Sequence, residues 1–362
     1  MKYMDEYRNP QLAKNLIREI KQFAHQTWNI MEICGGQTHA ILRFGIDRAL
    51  TPEVQLIHGP GCPVCVTPIQ KIDLAIQLAL ETDIILCSFG DMLRVPGSKT
   101  SLLSARGRGA NVQTVYSPLD SVKIAQQNLN KQVVFFAVGF ETTAPVNAMA
   151  IKKAKELGLT NFSLLCAQVL VPPAMEVLLS DPYCQIQGFL AAGHVCTVMG
   201  YHEYEPIAEK YKIPIVVTGF EPVDLLLGIK ECICMLEKGK YGVQNAYTRS
   251  VQREGNVTAQ QLIKEIFEVC DQDWRGLGCI PHSGLRLKSD YADYDVEKKF
   301  HLTPEKNEEK QTVCIAGEIL QGKKKPTDCP AFATLCTPEN PIGAPMVSNE
   351  GACSAYYQYE KR

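Results

Sequence analysis

Two textures alternate along the chain. The first is a helical stripe: "NPQLAKNLIREIKQFAHQ" puts Leu12, Leu16, Ile20 and Phe23 on one face, which predicts an amphipathic helix. The second is a series of short apolar runs that stop at glycine. "WNIMEICGG" reads as a strand that delivers Cys34 to a loop. "EVQLI", "DIILCSF", "QVVFFAV", "NFSLLCAQVLV", "IQGFLAAGHV" and "IPIVVTGFEP" continue the pattern. Between the second and third strands, "PIQKIDLAIQLALE" has helical spacing, with Thr67 at the cap, Pro68 at the first position and Gln70 closing a capping box. Apolar strands alternating with helices predict an α/β fold with mostly parallel sheets. Ligands of such sheets gather beyond the carboxyl ends of the strands, where the glycine-rich loops sit.

A chain of 362 residues exceeds one hydrophobic core. "VQLIHGPGC" followed by "DIILCSFGD" echoes "QGFLAAGHVC" followed by "IPIVVTGFE", and "VVFFAVGFE" shares the second ending. The echo predicts two similar α/β domains, 31–132 and 133–242. Strand-to-loop grammar common to all such units would produce the same echo. The rest, 1–30 together with 243–362, is expected as a helical and loop-rich third domain. "EKKFHLTPEKNEEKQ" reads as charged surface. From Cys314 onward, Pro326, Pro330, Pro338, Pro341 and Pro345 leave little regular structure, so this tail needs a staple.

Composition narrows the function. Hydrophobic content of 46% and charged content of 21% are those of a soluble globular protein. A net charge of −2 gives no field to attract nucleic acid or an anionic membrane. "MKYMDEYRNP" is too charged for a signal peptide, and no apolar run reaches a membrane span, so a cytoplasmic location is expected. Fifteen cysteines in that compartment are not structural disulfides. They are small buried hydrophobes, or they do chemistry or bind metal.

Four constellations carry that chemistry. Cys314, Cys329, Cys336 and Cys353 are four thiols on the loop-rich tail, which suits a [4Fe–4S] cluster or a zinc ion. Closely paired cysteines, usual for structural zinc, are absent there, and the Cys329-Pro330 step resembles ferredoxin cluster motifs, so the spacing favours the cluster. Cys62-Pro63-Val64-Cys65 lies between a strand and a helix start, a setting that favours thiolate, and reads as a redox dithiol ahead of half a metal site. "CGGQTH" sets Cys34 before two glycines, with Gln37, Thr38 and His39 following. A nucleophile or metal ligand and an inert loop thiol are equally compatible with it. "GFETTAP" places Glu141 at a strand end with Thr142 or Thr143 capping the next helix. His194 in "GHV" and Glu221 in "GFEP" stand at comparable strand ends, each as compatible with structure as with function.

"MEICGGQTH", "HGPGCPVC", "GFETTAP" and "CPAFATLCTPENPIGAPMVSNEGAC", in this order, resemble the HypD family of hydrogenase maturation proteins from about residue 10 to the C-terminus. Gln37 stands where the family varies between His and Gln. The resemblance implies two α/β domains and a third carrying a [4Fe–4S] cluster. It implies mainly an assembly scaffold on which the Fe(CN)2CO unit of [NiFe]-hydrogenases is built. HypC would share the iron, and HypE, charged by HypF, would deliver cyanide. Cys34 would ligate the nascent iron, Cys62 and Cys65 would be the redox pair, and Cys314, Cys329, Cys336 and Cys353 would hold the cluster. His39 and Glu141 are expected beside the reacting centre. The alternatives are a stand-alone iron–sulfur thiol–disulfide oxidoreductase, which has no need of "CGGQTH", and a zinc-stapled binding module.

Overall fold

The computed structural model describes residues 5–302 and 313–360. Residues 303–312 of the charged stretch lie outside them. The strands are β1 (Trp28–Glu32), β2 (Val54–His58), β3 (Ile84–Ser88), β4 (Val112–Thr114), β5 (Gln132–Gly139), β6 (Phe162–Val169), β7 (Gly188–Ala192), β8 (Pro214–Thr218), β9 (Gly242–Asn245), β10 (Phe267–Trp274) and β11 (Gly278–Leu287). They form two sheets. One runs β2-β1-β7-β8-β9, parallel throughout. The other runs β10-β11-β6-β5-β3-β4, in which β11 is antiparallel to both of its neighbours. The expected α/β class with mostly parallel sheets is what the chain adopts.

Burial on both faces explains the continuous apolar strands. In β5, Phe135 enters one core with Ile85 and Ile151, while Phe136 enters another with Leu86 and Ile72. The five-stranded sheet does the same with β1: Ile30 packs under the helix Pro222–Glu237, beside Leu225 and Ile229, and Met31 faces the core of Phe189 and Trp274. The first helix, Pro10–Phe23, is capped by the Asn9 side chain. It buries Leu16 and Ile20, while Leu12 and Phe23 overhang its ends.

The sheets do not divide at residue 132, as the domain reading expected. β1 and β2 pair with β7, β8 and β9, whereas β3 to β6 form the second sheet. The chain crosses from one sheet to the other after β2 and returns after β6. Nor is 243–362 loop-rich throughout. β9 completes the first sheet, and the helix Val257–Ile266 and the β10–β11 hairpin complete the second. The loop-rich texture begins with the tail at 313. The echo spans both sheets, since β2, β7 and β8 belong to one and β3 to the other, so it reflects strand-to-loop grammar. Strand sequences that are apolar on both faces carry no mark of which neighbour they pair with.

One helix start also differs. Thr67 does not cap the helix Ile69–Leu80. Its hydroxyl donates back to the Pro63 carbonyl at 2.8 Å, and Pro68 takes the cap position without a side-chain bond.

Candidate functional site

In the five-stranded sheet, β1 has β2 on one side and β7 on the other, so the chain leaves β1 in opposite directions at this point. Such a switch opens a crevice at the carboxyl ends of the strands. Cys34 follows β1 and caps the helix Gly35–Arg43 in an extended conformation. His194 follows β7 on the helix Gly193–Met199. The two meet there, with Cys34 Sγ 3.8 Å from His194 Nδ1.

The loop around Cys34 is fixed from below by Glu32, which is fully buried. Glu32 Oε2 accepts the Cys34 N–H at 2.9 Å, and Oε1 accepts the Thr38 hydroxyl and pairs with His58 Nδ1 at 2.7 Å. Parallel register puts Glu32 directly across from His58. Burial raises the Glu32 carboxyl, and its bonds to His58, Thr38 and Cys34 oppose that rise. The Gly35 N–H donates to the Gly61 carbonyl at 2.9 Å. A Cβ on Gly61 would lie 2.2 Å from the Cys34 nitrogen, so only glycine lets the "HGPGC" loop lie against Cys34.

Burial favours the protonated thiol. Burial pushes it far above its ordinary range, and the Glu32 and Glu350 carboxylates add to the rise. His194 is kept neutral, since burial lowers it to about 4. A metal binds thiolate and displaces the proton.

Several expected partners of Cys34 are placed elsewhere. His39 does not face the thiol. Its Nδ1 lies 3.3 Å from the Asn349 carbonyl and its Nε2 3.2 Å from the Tyr359 hydroxyl, so it ties the loop to the C-terminal helix Ala352–Tyr359. Helical geometry turns position 39 away from the cap residue, and His194 occupies the place expected for His39. The Gln37 amide donates to the Ala191 and Thr218 carbonyls at 3.2 and 3.3 Å, bridging the ends of β7 and β8. Gly35 and Gly36 do not leave open space. A Cβ on Gly35 would lie 2.4 Å from Glu350, and one on Gly36 would lie 3.4 Å from the Phe220 ring. Phe220 also packs on His194, with centroids 5.1 Å apart. Glu141 is likewise not a neighbour of the thiol; its Oε1 accepts the Val171 N–H at 2.8 Å. Glu221 caps the helix Pro222–Glu237 and pairs with Arg8. Thr143 precedes its helix without a side-chain cap bond.

Glu32, His58 and Phe220 are the residues that sequence reasoning missed. The signal for Glu32 was present: a carboxylate ending an otherwise apolar strand, two residues before the cysteine.

Cys62 and Cys65 are joined in a disulfide. Cys62 caps the four-residue helix Pro63–Val66, and its sulfur accepts the Cys65 N–H at 3.2 Å. Both share a core with Cys34. Cys65 also lines a cavity of about 380 Å³ that Cys314 lines as well.

The tail gathers around a small core of Ile319, Ala331, Cys336, Met346, Ala352 and Cys353. Its four cysteines act on one another. Burial pushes the Cys353 thiol well up, and Cys314, Cys336 and Cys329 push it further. Cys314 is raised by burial first, with Cys329 and Cys336 contributing. Among the described residues, no three His, Cys, Asp or Glu side chains gather tightly enough for a single metal ion. A [4Fe–4S] cube lies between its thiolates and so spaces them more widely than one ion would. An all-thiol set at mutual range, with the Ile342 N–H donating to Cys336 Sγ at 3.3 Å, fits that larger group.

A family model described as HypD, Hydrogenase formation hypA family, matches residues 11–360. The chain belongs to the HypD family of hydrogenase maturation factors. Three similar proteins are a hydrogenase maturation factor HypD2 from Bradyrhizobium diazoefficiens and factors named HypD from Rhodobacter capsulatus and Escherichia coli. The first is 46% identical over 369 residues, covering 99% of this chain and 97% of the relative. The second is 45% identical over 370 residues, covering 99% and 98%. The third is 44% identical over 375 residues, covering 100% and 99%. With HypD membership, the Cys34 crevice and the four-cysteine tail become two parts of one maturation factor. Among the described residues, no helix is long and apolar enough to cross a membrane.

Proposed function

We propose that this chain is a cytoplasmic scaffold on which the Fe(CN)2CO unit of [NiFe]-hydrogenases is assembled. Its partners are other maturation proteins, HypC sharing the iron and HypE, charged by HypF, delivering cyanide. The observation that carries the reading is the Cys34 crevice: a thiol at a sheet switch point, its backbone N–H fixed by Glu32 and its sulfur beside a neutral His194. Thiolate suits a low-spin iron carrying cyanide and CO. Glu32 orients the Cys34 backbone, and His194, kept neutral by burial, lies beside the sulfur without adding positive charge there. Phe220 and Glu350 lie against Gly36 and Gly35 of the loop.

Cys314, Cys329, Cys336 and Cys353 would hold a [4Fe–4S] cluster, which supplies single electrons when bound. The Cys62–Cys65 disulfide, whose Cys65 lines one cavity together with Cys314, would accept reducing equivalents. Opening it takes two electrons and two protons and yields two thiols.

Infrared spectroscopy of the protein purified with its HypC-type partner tests this reading. Cyanide and CO stretches are expected from the wild type and not from Cys34→Ala, which should still fold, since Cys34 makes no disulfide. Cys34→Ala protein with those bands would move the iron to Cys62 and Cys65.

A further inference from the structure

Glu141 has surroundings of its own. A cavity of about 420 Å³ lies against the six-stranded sheet, walled by Leu170, Pro172, Met199, Phe267 and Leu285. Three charged residues join these apolar walls: Glu141, Glu203 and Lys264. Glu203 and Lys264 are exposed and attract each other, so they largely cancel. Glu141 is different. It is 2% exposed, its Oε1 accepts the Val171 N–H, and its Oε2 has no hydrogen-bond partner. A buried polar oxygen without a partner carries a cost that a ligand can remove.

We propose that this cavity binds a small neutral molecule with an apolar body and one primary-amide group. The volume is that of a small-molecule site, and apolar walls with one orienting polar group are the usual construction. Burial, with Glu203 adding to it, pushes Glu141 up to about 8, so at neutral pH the carboxyl keeps its proton. The other groups facing it, Cys196 and Tyr204, are pushed up by burial too and are uncharged. Glu141 therefore presents a hydroxyl donor on Oε2 beside an acceptor on Oε1, which has a second lone pair free. A primary amide is the complement: its carbonyl accepts from Oε2–H and its N–H donates to Oε1. An ammonium ligand would have to be desolvated in an apolar cavity and would have to ionise Glu141 as well. An anion gains nothing from a neutral acid, and Glu203 beside Lys264 offers it no net positive charge.

The test is a titration of the purified full-length chain with benzamide, followed by calorimetry or ligand-observed NMR. Saturable binding is expected, with Kd on the order of 1 mM or tighter. It should weaken as the pH rises past about 8, where Oε2 loses its proton. Glu141→Leu should weaken it at least about tenfold by removing one buried hydrogen-bonding group. Val269→Trp provides a second check that leaves Glu141 in place. Val269 lines the cavity yet is 51% exposed, so the larger ring can fill the mouth without disturbing the fold. The same loss is expected from it. Absence of saturable binding, binding unchanged in both variants, or tighter binding of benzylammonium than of benzamide would each overturn the proposal.

Discussion

Cys34 and Cys353 are both buried thiols that burial keeps protonated, yet they are held in different ways. Cys34 sits between a strand and a helix. Its backbone N–H is fixed by a carboxylate, its neighbour Gly35 by the Gly61 carbonyl, and its sulfur lies beside a histidine from the adjacent strand. The crevice is held by protein groups alone. Cys353 opens the last helix of a tail whose other regular elements are short: Ala316–Leu320, Pro326–Asp328 and Ala344–Met346. A few apolar residues and three other thiols are its main company. The difference teaches that one site is organised by the sheet, while the other has little regular structure to order it and, on the function proposed above, would depend on a bound group for much of its order.

The largest expected effect follows from that difference. Cys336→Ala should remove broad visible absorption near roughly 400 nm, as expected of thiolate-bound clusters. It should also speed protease cleavage within 313–360 by on the order of ten-thousandfold or more, about 5.5 kcal/mol of lost local order. Cleavage within the sheets should stay slow. A colourless wild type holding one zinc ion would break the comparison, because a single ion would then be doing the stapling.

Next in size is Glu32→Ala. It leaves two donors without an acceptor, the Cys34 N–H and His58 Nδ1, while the Thr38 hydroxyl keeps only the Cys34 carbonyl at 3.3 Å. Each buried orphan costs about 1–3 kcal/mol, and urea unfolding would measure the sum. Glu32→Gln keeps one acceptor oxygen and should lose less. Equal stability of wild type and Glu32→Ala would show that the crevice is not held from below.

Glu141 sharpens the contrast between supported and unsupported carboxyls. Glu32 receives three hydrogen bonds, whereas the Glu141 side chain accepts one from Val171. Burial raises Glu141 to about 8, above its unfolded value, so the native state holds a proton that the unfolded chain releases. Its stabilising share is complete at low pH and is lost as pH rises toward and through about 8. Stability should therefore fall between about pH 5 and pH 9 in the wild type, by on the order of a few kcal/mol at most, and Glu141→Gln should flatten the slope. Parallel pH profiles for the two proteins would mean that Glu141 is ionised in the fold.

The smallest effect is reduction of the Cys62–Cys65 disulfide. It closes a very short loop, so opening it should cost about 2 kcal/mol or less. Alkylation mapping should find both thiols modified after reduction and protected after mild oxidation. Thiols that stay alkylatable under oxidant would remove the redox role.

Much of this was readable in the chain as text. The strand ends, the glycine-flanked Cys34, the C-x-x-C pair and the four tail cysteines are local patterns. A strand apolar on both faces must be buried, and two cysteines three residues apart on a turn can reach each other wherever the turn goes. The choice between His39 and His194 as the neighbour of Cys34 was not readable, nor was the alliance of Glu32 with His58. Both depend on β1 lying between β2 and β7, and the chain reaches β7 only after building most of a second sheet. Strand order in a parallel sheet is decided by which apolar faces and crossover helices fill one another, and sequence neighbours carry no record of it. The sequence by itself determined which residues bring chemistry and at which strand end each one stands. Only the tertiary structure decided which of them meet: packing set His194 against Cys34 at the switch point, brought Cys65 and Cys314 to the lining of one cavity, and left Glu141 in a largely apolar pocket of its own.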